Sequence, residues 1–248
     1  MSRHHAGLIA LLALVAVGAA PSECKSQQAS ASSTIRDPIA DQLLTPKNSA
    51  LIIIDYQPVA VGSIQSMDRR LLIDNIVRVA KTAKAYGLPI IVSTTGVTTA
   101  GNEPTIPELQ AVLGDVKAID RTTLNAWEDP EFVAAVKATG RRKLIMTGLW
   151  TEVCLTFPAL DALREGYEVY AVVDAVGGTS VEANRAGLDR VFQAGGHPTS
   201  WVQFISELQR DVNRKETLGP FMQILFDPRV PFVAATRQQT APGAPTGP

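Results

Sequence analysis

The stretch KLIMTGLWTEVCLTFPALDALREGYEVYAVVDA, Lys143 to Ala175, decides how the chain folds. The apolar run Leu144 to Leu149 follows the charged Arg141-Arg142-Lys143 and reads as a buried strand. Val169 to Val173 is a second such run. Between them Val153, Phe157, Leu160 and Leu163 recur three or four apart, the period of an amphipathic helix. Together they make one β-α-β unit, with parallel strands and a right-handed crossover. Cys154 falls at the strand-to-helix turn. With Thr151 as N-cap, the thiol stands at the third helical position, where the positive end of the helix dipole favours thiolate. The residues leave two readings of Cys154 open: a reactive thiol, or a small buried hydrophobe.

Upstream, Ala50-Leu51-Ile52-Ile53-Ile54 is a short apolar run ending in Asp55, the pattern of a central parallel strand covered on both faces. Asp55 falls at its C-terminal end, the edge where open α/β sheets place their sites. From Asp68, the residues Leu71, Leu72, Ile76, Val79, Ala80 and Ala83 mark a long helix that stops at Gly87, before Pro89. Ile90 to Ser93 reads as a strand, Thr94 to Asn102 as a loop over the same edge, Ile106 to Leu113 as a short helix and Lys117 to Ile119 as a short strand. Asp120 to Trp127 has no clear period and reads as a loop, after which Asp129-Pro130 caps and opens another helix. Downstream, the pattern predicts a helix over Ser180 to Ala194, a last strand over Thr199 to Phe204 and a helix over Ile205 to Arg214. This alternation implies a three-layer α/β/α domain over residues 49–230, with a mostly parallel sheet of about six strands.

The chain has 248 residues, is 46% hydrophobic and carries a formal charge of −1. That suffices for one domain with a substantial core, and leaves no electrostatic footprint for nucleic acid or an acidic membrane surface. Residues 1–20 have the form of a signal peptide: a weakly basic start at Arg3, an apolar Leu8 to Val17, then the small Gly18 and Ala20. The expected location is periplasmic or secreted. Residues 21–48 read as a flexible leader and arm, and residues 231–248 as a disordered Pro/Gly-rich tail. Cys24 and Cys154 are the two cysteines, so one disulfide is the most an oxidising compartment allows. Cys24 lies in a polar leader with no pattern to fix it in space, and the two are expected to stay unpaired.

The loop after the first strand, Tyr56 to Gly62, contains neither GxGxxG nor a P-loop, so a dinucleotide or phosphate cradle is unsupported there. The three histidines are His4, His5 and His197, and no Cys/His cluster suggests zinc. Asp55, Arg121 and Cys154 remain, all at predicted C-terminal strand ends. Asp55 is either a base for the thiol, if its proton affinity is adjusted by burial or a cation, or the cap of a turn. Arg121 is either part of the same site or the partner of an acid such as Glu128. His197, before Pro198 in a Gly-Gly turn, reads as a loop residue. The pattern by itself does not bring these groups together.

From about Ala50 to Phe226 the chain resembles the isochorismatase-like cysteine hydrolases, which include nicotinamidases and N-carbamoyl amidohydrolases. The resemblance rests on ALIIIDYQ at the first strand and on GLWTEVCLTFPALDALREGYEVYAVVDA around the cysteine; DRTTLNAWEDPEFVAAVKATGRRKLI is similar to the YcaC-type branch. It implies a small-molecule hydrolase acting on a C–N bond, without cofactor, and a homo-oligomer. Members use an Asp, a Lys and a Cys; Asp55 and Cys154 match the first and third, and Arg121 stands at the lysine position, as in the YcaC-like branch. Arginine stays charged and cannot shuttle a proton. The resemblance further implies an oxyanion hole from the N–H groups of Trp150 and Cys154, a cis peptide at Leu149-Trp150, and a pocket lined by Gln57, Asn125, Trp127, Trp150 and Phe157. Aromatic residues beside a buried strand are also commonly core. Metal-binding members use an Asp-x-His type set, and the corresponding Gly101 to Thr105 lacks His, so no metal is expected. Two rivals remain: an isochorismatase-type vinyl-ether hydrolase, and a non-catalytic or thiol redox-responsive oligomer on the same scaffold.

Overall fold

The computed structural model describes residues 37–228. The predicted signal peptide, most of the leader with Cys24, and the predicted tail lie outside the described residues. Six strands form one sheet: β1 (Ser49–Ile54), β2 (Ile90–Thr95), β3 (Ala118–Arg121), β4 (Lys143–Gly148), β5 (Glu168–Val172) and β6 (His197–Thr199). All neighbours pair parallel, in the order β3-β2-β1-β4-β5-β6. In this order the connections reverse direction between β1 and β4, the switch point at which open α/β sheets leave a crevice at their carboxyl edge.

The apolar run of β1 is central because it has two faces to bury. Leu51 and Ile53 pack with helices α1 (Pro58–Gly62), α2 (Arg69–Ala85), α3 (Pro107–Leu113), α7 (Trp201–Gln209) and α8 (Lys215–Leu225). Ala50, Ile52 and Ile54 face the other layer, α4 (Pro130–Ala138), α5 (Thr156–Arg164) and α6 (Val181–Gln193). Each fully buried isoleucine there contributes about 1.5–3 kcal/mol through apolar area removed from water. The long helix α2 begins where Asp68 accepts the Leu71 N–H at 2.8 Å. It buries Leu72, Ile76, Val79, Ala80 and Ala83, while Leu71 is exposed. Likewise the Asp129 carboxylate caps α4 through the Phe132 N–H, with Pro130 opening the helix.

Several elements differ from the sequence expectation. The strand expected over Thr199 to Phe204 is only the three-residue β6, and α7 begins at Trp201. The helix wins because Ser200 caps it through the Gln203 N–H, and Trp201, Phe204, Ile205 and Leu208 fall on one buried stripe. The expected helix over Ile205 to Arg214 ends at Gln209, and α8 follows with Pro220 inside it. Strand β3 continues through Asp120 to Arg121, two residues beyond the Ile119 end expected from the pattern. Before β1, Leu44 is fully buried and its N–H donates to Glu207 at 2.7 Å, docking this segment onto α7. Replacing Ile52 by Ala is expected to lower unfolding stability by about 2–5 kcal/mol, measured by urea denaturation followed by circular dichroism.

Candidate active site

Four adjacent strands in the order β3-β2-β1-β4 deliver one side-chain cluster to the carboxyl edge. Asp55 directly follows β1, and its backbone takes a left-handed φ of 61°, a conformation that Asp tolerates better than most residues. Its N–H still bonds the Ser93 carbonyl at 2.9 Å, so the ladder holds it as the chain turns. Arg121 is the last residue of β3. Its guanidinium donates to Asp55 Oδ2 at 2.5 Å, to Ser93 Oγ at 3.1 Å and to the Thr123 carbonyl. From β2, which lies between them, Thr95 Oγ1 donates to Asp55 Oδ1 at 3.0 Å. The Arg121 side chain is 0% exposed and that of Asp55 5%, so this is a buried ion pair with most polar positions occupied. Arg121 therefore belongs to this site; Glu128 instead accepts from Asn125.

Cys154 approaches from β4. After Gly148 the peptide Leu149–Trp150 is cis. The chain then makes one π-helical turn over Thr151–Leu155 before continuing as α5. Trp150, not Thr151, is the N-cap residue, and its carbonyl accepts from the N–H groups of Val153, Cys154 and Leu155 at 3.1, 2.8 and 3.3 Å. Thr151 instead donates through its hydroxyl to Asn184 and through its N–H to Gly177. Gly148 permits this packing, since a Cβ there would stand 2.9 Å from the Cys154 carbonyl oxygen. Such π turns are uncommon and occur frequently at functional sites.

The Cys154 thiol hydrogen-bonds the Asp55 carboxylate. Burial pushes the thiol far above its ordinary pKa, and the neighbouring Asp55 charge pushes it further, outweighing Arg121 and the Trp150 N–H, which act in the other direction. The thiol is therefore neutral near pH 7, contrary to the thiolate expected from the helix position alone. Burial also raises Asp55; the Arg121 charge and the hydrogen bonds from Cys154, Thr95 and Arg121 oppose that rise. The arrangement is a protonated thiol on a buried carboxylate of raised proton affinity. The Trp150 N–H faces the sulfur, whereas the Cys154 N–H, also expected in an oxyanion hole, is taken by the Trp150 carbonyl.

A cavity of about 170 Å³ opens onto this cluster. Asp55 and Cys154 form its reactive wall, and Val59, Ala60, Leu124, Leu149 and Trp150 make most of the remainder apolar. Val59 and Leu124 stand exposed at its rim. The Trp150 indole is fixed by donating to Ser63 Oγ at 2.6 Å. Gln57 also lines the cavity, but its amide is occupied: it accepts the Thr95 N–H and donates to the Thr95 and Glu103 carbonyls.

Three residues expected in the pocket are elsewhere. Asn125 caps the short 3-10 turn Ala126–Glu128 and donates to Asp161 at 2.7 Å. Trp127 is buried edge-on between Phe132 and Tyr167, its indole N–H on Glu165. Phe157 is half-buried on α5 and does not line the cavity. His197 starts β6 and lies against Tyr170. Conversely, the pattern gives no sign of Ser93, Thr95, Asn102, Val59 and Leu124, because small polar residues at a strand end or in a loop and single apolar residues carry no signal apart from their neighbours.

A three-layer α/β domain with a Cys-Asp-Arg cluster at the switch point defines the class. Residues 49–203 match the isochorismatase domain, and the chain belongs to the isochorismatase family. It is 37% identical over 169 residues to "Probable hydrolase YcaC" of Escherichia coli, covering 68% of this chain and 81% of that protein. Among solved structures it is similar to YcaC of Pseudomonas aeruginosa, described with hexane-2,5-diol and covalent acrylamide (TM-score 0.73, 31% identity, 80% of this chain and 96% of that one). It is also similar to the Escherichia coli YcaC structure, described as an octameric hydrolase of unknown specificity (TM-score 0.72, 32% identity, 80% and 96%). The YcaC hydrolases are thus its near relatives within the family.

The Arg121 guanidinium favours the ionised form of Asp55, so its removal raises the Asp55 pKa. Arg121→Ala is accordingly expected to shift the acid limb of Cys154 alkylation by iodoacetamide to higher pH, read by mass spectrometry across a pH series. Loss of one partner of a buried pair should also cost about 3–5 kcal/mol of stability.

Proposed function

We propose that this hydrolase cleaves the C–N bond of a small uncharged amide or carbamoyl compound through a thioester on Cys154. The observation that carries this reading is the thiol held on a buried carboxylate at the wall of a small apolar cavity. Asp55 takes the thiol proton as sulfur attacks the carbonyl carbon, which avoids a free thiolate in a desolvated site. The oxyanion is stabilised by the Trp150 N–H, which faces the sulfur. Collapse breaks the C–N bond, and the proton on Asp55 passes to the departing nitrogen. Water, deprotonated by Asp55, then attacks the thioester and regenerates the thiol. Arg121 holds the carboxylate in place and moves no proton.

The cavity also supports the substrate class. An engineered apolar cavity of about 150 Å³ holds benzene, so a branched or ring-sized acyl group fits here. Among the described residues no lysine or arginine lines it, and Arg121 is sealed beneath Asp55. A substrate carboxylate would meet only the negative charge of Asp55, which argues against the carboxylate-bearing vinyl ether of isochorismatase chemistry. A redox-sensing thiol is also disfavoured, because sensor cysteines are exposed and of low pKa, and Cys154 is neither. By likeness to the octameric relative we propose a homo-oligomer, and from residues 1–20 an exported protein.

Intact-mass spectrometry of the exported wild-type protein with a panel of small amides should show a transient acyl adduct that Cys154→Ala lacks. Asp55→Asn should lower the rate of adduct formation about 10²–10⁴-fold, the usual contribution of general acid–base catalysis. No adduct and no product across the panel would overturn the amidase reading. Native mass spectrometry of the same sample should show multiples of the protomer mass, and a monomer alone would overturn the oligomer.

A further inference from the structure

One polar residue of the cavity has neither a step above nor a fully occupied side-chain amide. Asn102 lines the cavity and is half-buried, in the loop between β2 and α3. This loop is tied down at both ends. Asp120 accepts the Val97 and Thr98 N–H groups at 2.9 and 2.8 Å and the Thr98 hydroxyl at 2.7 Å. Against desolvation, the largest single influence, these bonds and one from the Thr94 hydroxyl together hold the Asp120 carboxyl down at a pKa of about 2. At the other end Gln57 donates to the Glu103 carbonyl at 2.8 Å. The Ala100 and Asn102 N–H groups both return to the Gly96 carbonyl. Gly96, at φ 68°, leaves room for Asn102: a Cβ there would meet Asn102 Nδ2 at 3.2 Å.

This frame also orients the Asn102 amide. Its Nδ2 donates one N–H to the Thr95 carbonyl at 2.8 Å, and among the described residues no group donates to its Oδ1. Thr95 in turn donates through its hydroxyl to Asp55. Asn102 and Asp55 therefore lie on the same side of the cavity, joined through Thr95. Asp55 is an acceptor there, and so is Asn102 Oδ1. Two acceptors on one side of an apolar cavity match a group with two N–H donors.

We propose that Asn102 is a specificity-determining residue that accepts an N–H of the substrate's primary amide or carbamoyl –NH2, placing the leaving nitrogen beside Asp55. The inference rests on the amide reading of the site and narrows it to unsubstituted amides. The carbonyl carbon then faces Cys154, the carbonyl oxygen lies towards Trp150 N–H, and the small apolar acyl group lies against Leu124, Leu149 and Trp150. A ketone or ester of the same shape has no N–H to offer and leaves Oδ1 desolvated without a partner. A site built to bind a donor group rejects the analogue that lacks it for this reason.

The test uses the full chain carrying Cys154→Ala, so that binding is read without turnover. The probes are isobutyramide and 3-methylbutan-2-one, which differ in shape only by –NH2 against –CH3. Ligand-observed NMR titration gives the amide-to-ketone affinity ratio with Asn102 present and in Asn102→Leu. The ratio is expected to fall roughly ten- to hundredfold, the loss of one hydrogen bond with a buried donor left unmatched. A general loosening of the loop would weaken both probes and leave the ratio unmoved. Asn102→Ser, too short to reach the nitrogen, should give the same fall if the leucine variant does not fold. An unchanged ratio, or no binding of either probe, overturns the inference. Isobutyramide turnover by the wild-type chain is measured in parallel. Absence of turnover with the expected fall in ratio removes the hydrolytic reading and keeps amide recognition; turnover with an unchanged ratio does the reverse.

Discussion

The buried pair between Arg121 and Asp55 is the interaction on which the site depends. Two charges removed from water cost several kcal/mol each, and the cost is offset only where the remaining hydrogen-bonding positions are filled. Here each guanidinium nitrogen has a partner, with Ser93 and Thr123 on the two that do not meet Asp55, and Thr95 and Cys154 lie on the carboxylate. The sheet order makes this possible, since β2 lies between the strands that carry the two charges and supplies Ser93 and Thr95 from its C-terminal end. Because arginine does not lose its proton, its charge favours the ionised carboxylate across the working pH range, against the burial that raises Asp55.

The state of Cys154 follows from a contest between two effects of different size. A helix terminus stabilises a negative charge by about 0.3–1 kcal/mol, and less than one pKa unit follows from that. Burial and the adjacent Asp55 charge both act against thiolate, and together they dominate. The consequence is mechanistic. A pre-formed thiolate is the resource of exposed, low-pKa cysteines, whereas a neutral thiol on a carboxylate ionises only as it reacts. The apolar cavity wall that imposes this also underlies the proposed preference for an uncharged substrate, so one physical cause bears on both the thiol's resting form and the proposed substrate class.

Local patterns made much of this legible. The all-apolar β1 and β4, the helix capped by Asp68 and the Asp129-Pro130 start all follow from periodicity and capping rules, which need only neighbouring residues. The errors fell where a distant contact overruled the local pattern. Trp201 to Phe204 carries strand-forming residues, yet Ser200 and a stripe packed against α2 make it helical. Trp127 and Asn125 have the composition of a binding loop, yet their polar atoms are spent on Glu165 and Asp161 of α5 and the residue that caps it.

The sequence by itself determined the α/β class, the central strands, and the identity of Asp55, Arg121 and Cys154 as candidates, because strand ends and a cysteine after an apolar run are local features. Tertiary structure alone decided that Arg121 pairs with Asp55 and not Glu128, that the thiol is neutral, and that Val59, Thr95, Asn102 and Leu124 share its cavity. These residues lie far apart along the chain and become neighbours only when parallel strands bring their carboxyl ends to one edge. Desolvation, which sets the charge state of the thiol, exists only once that edge is covered.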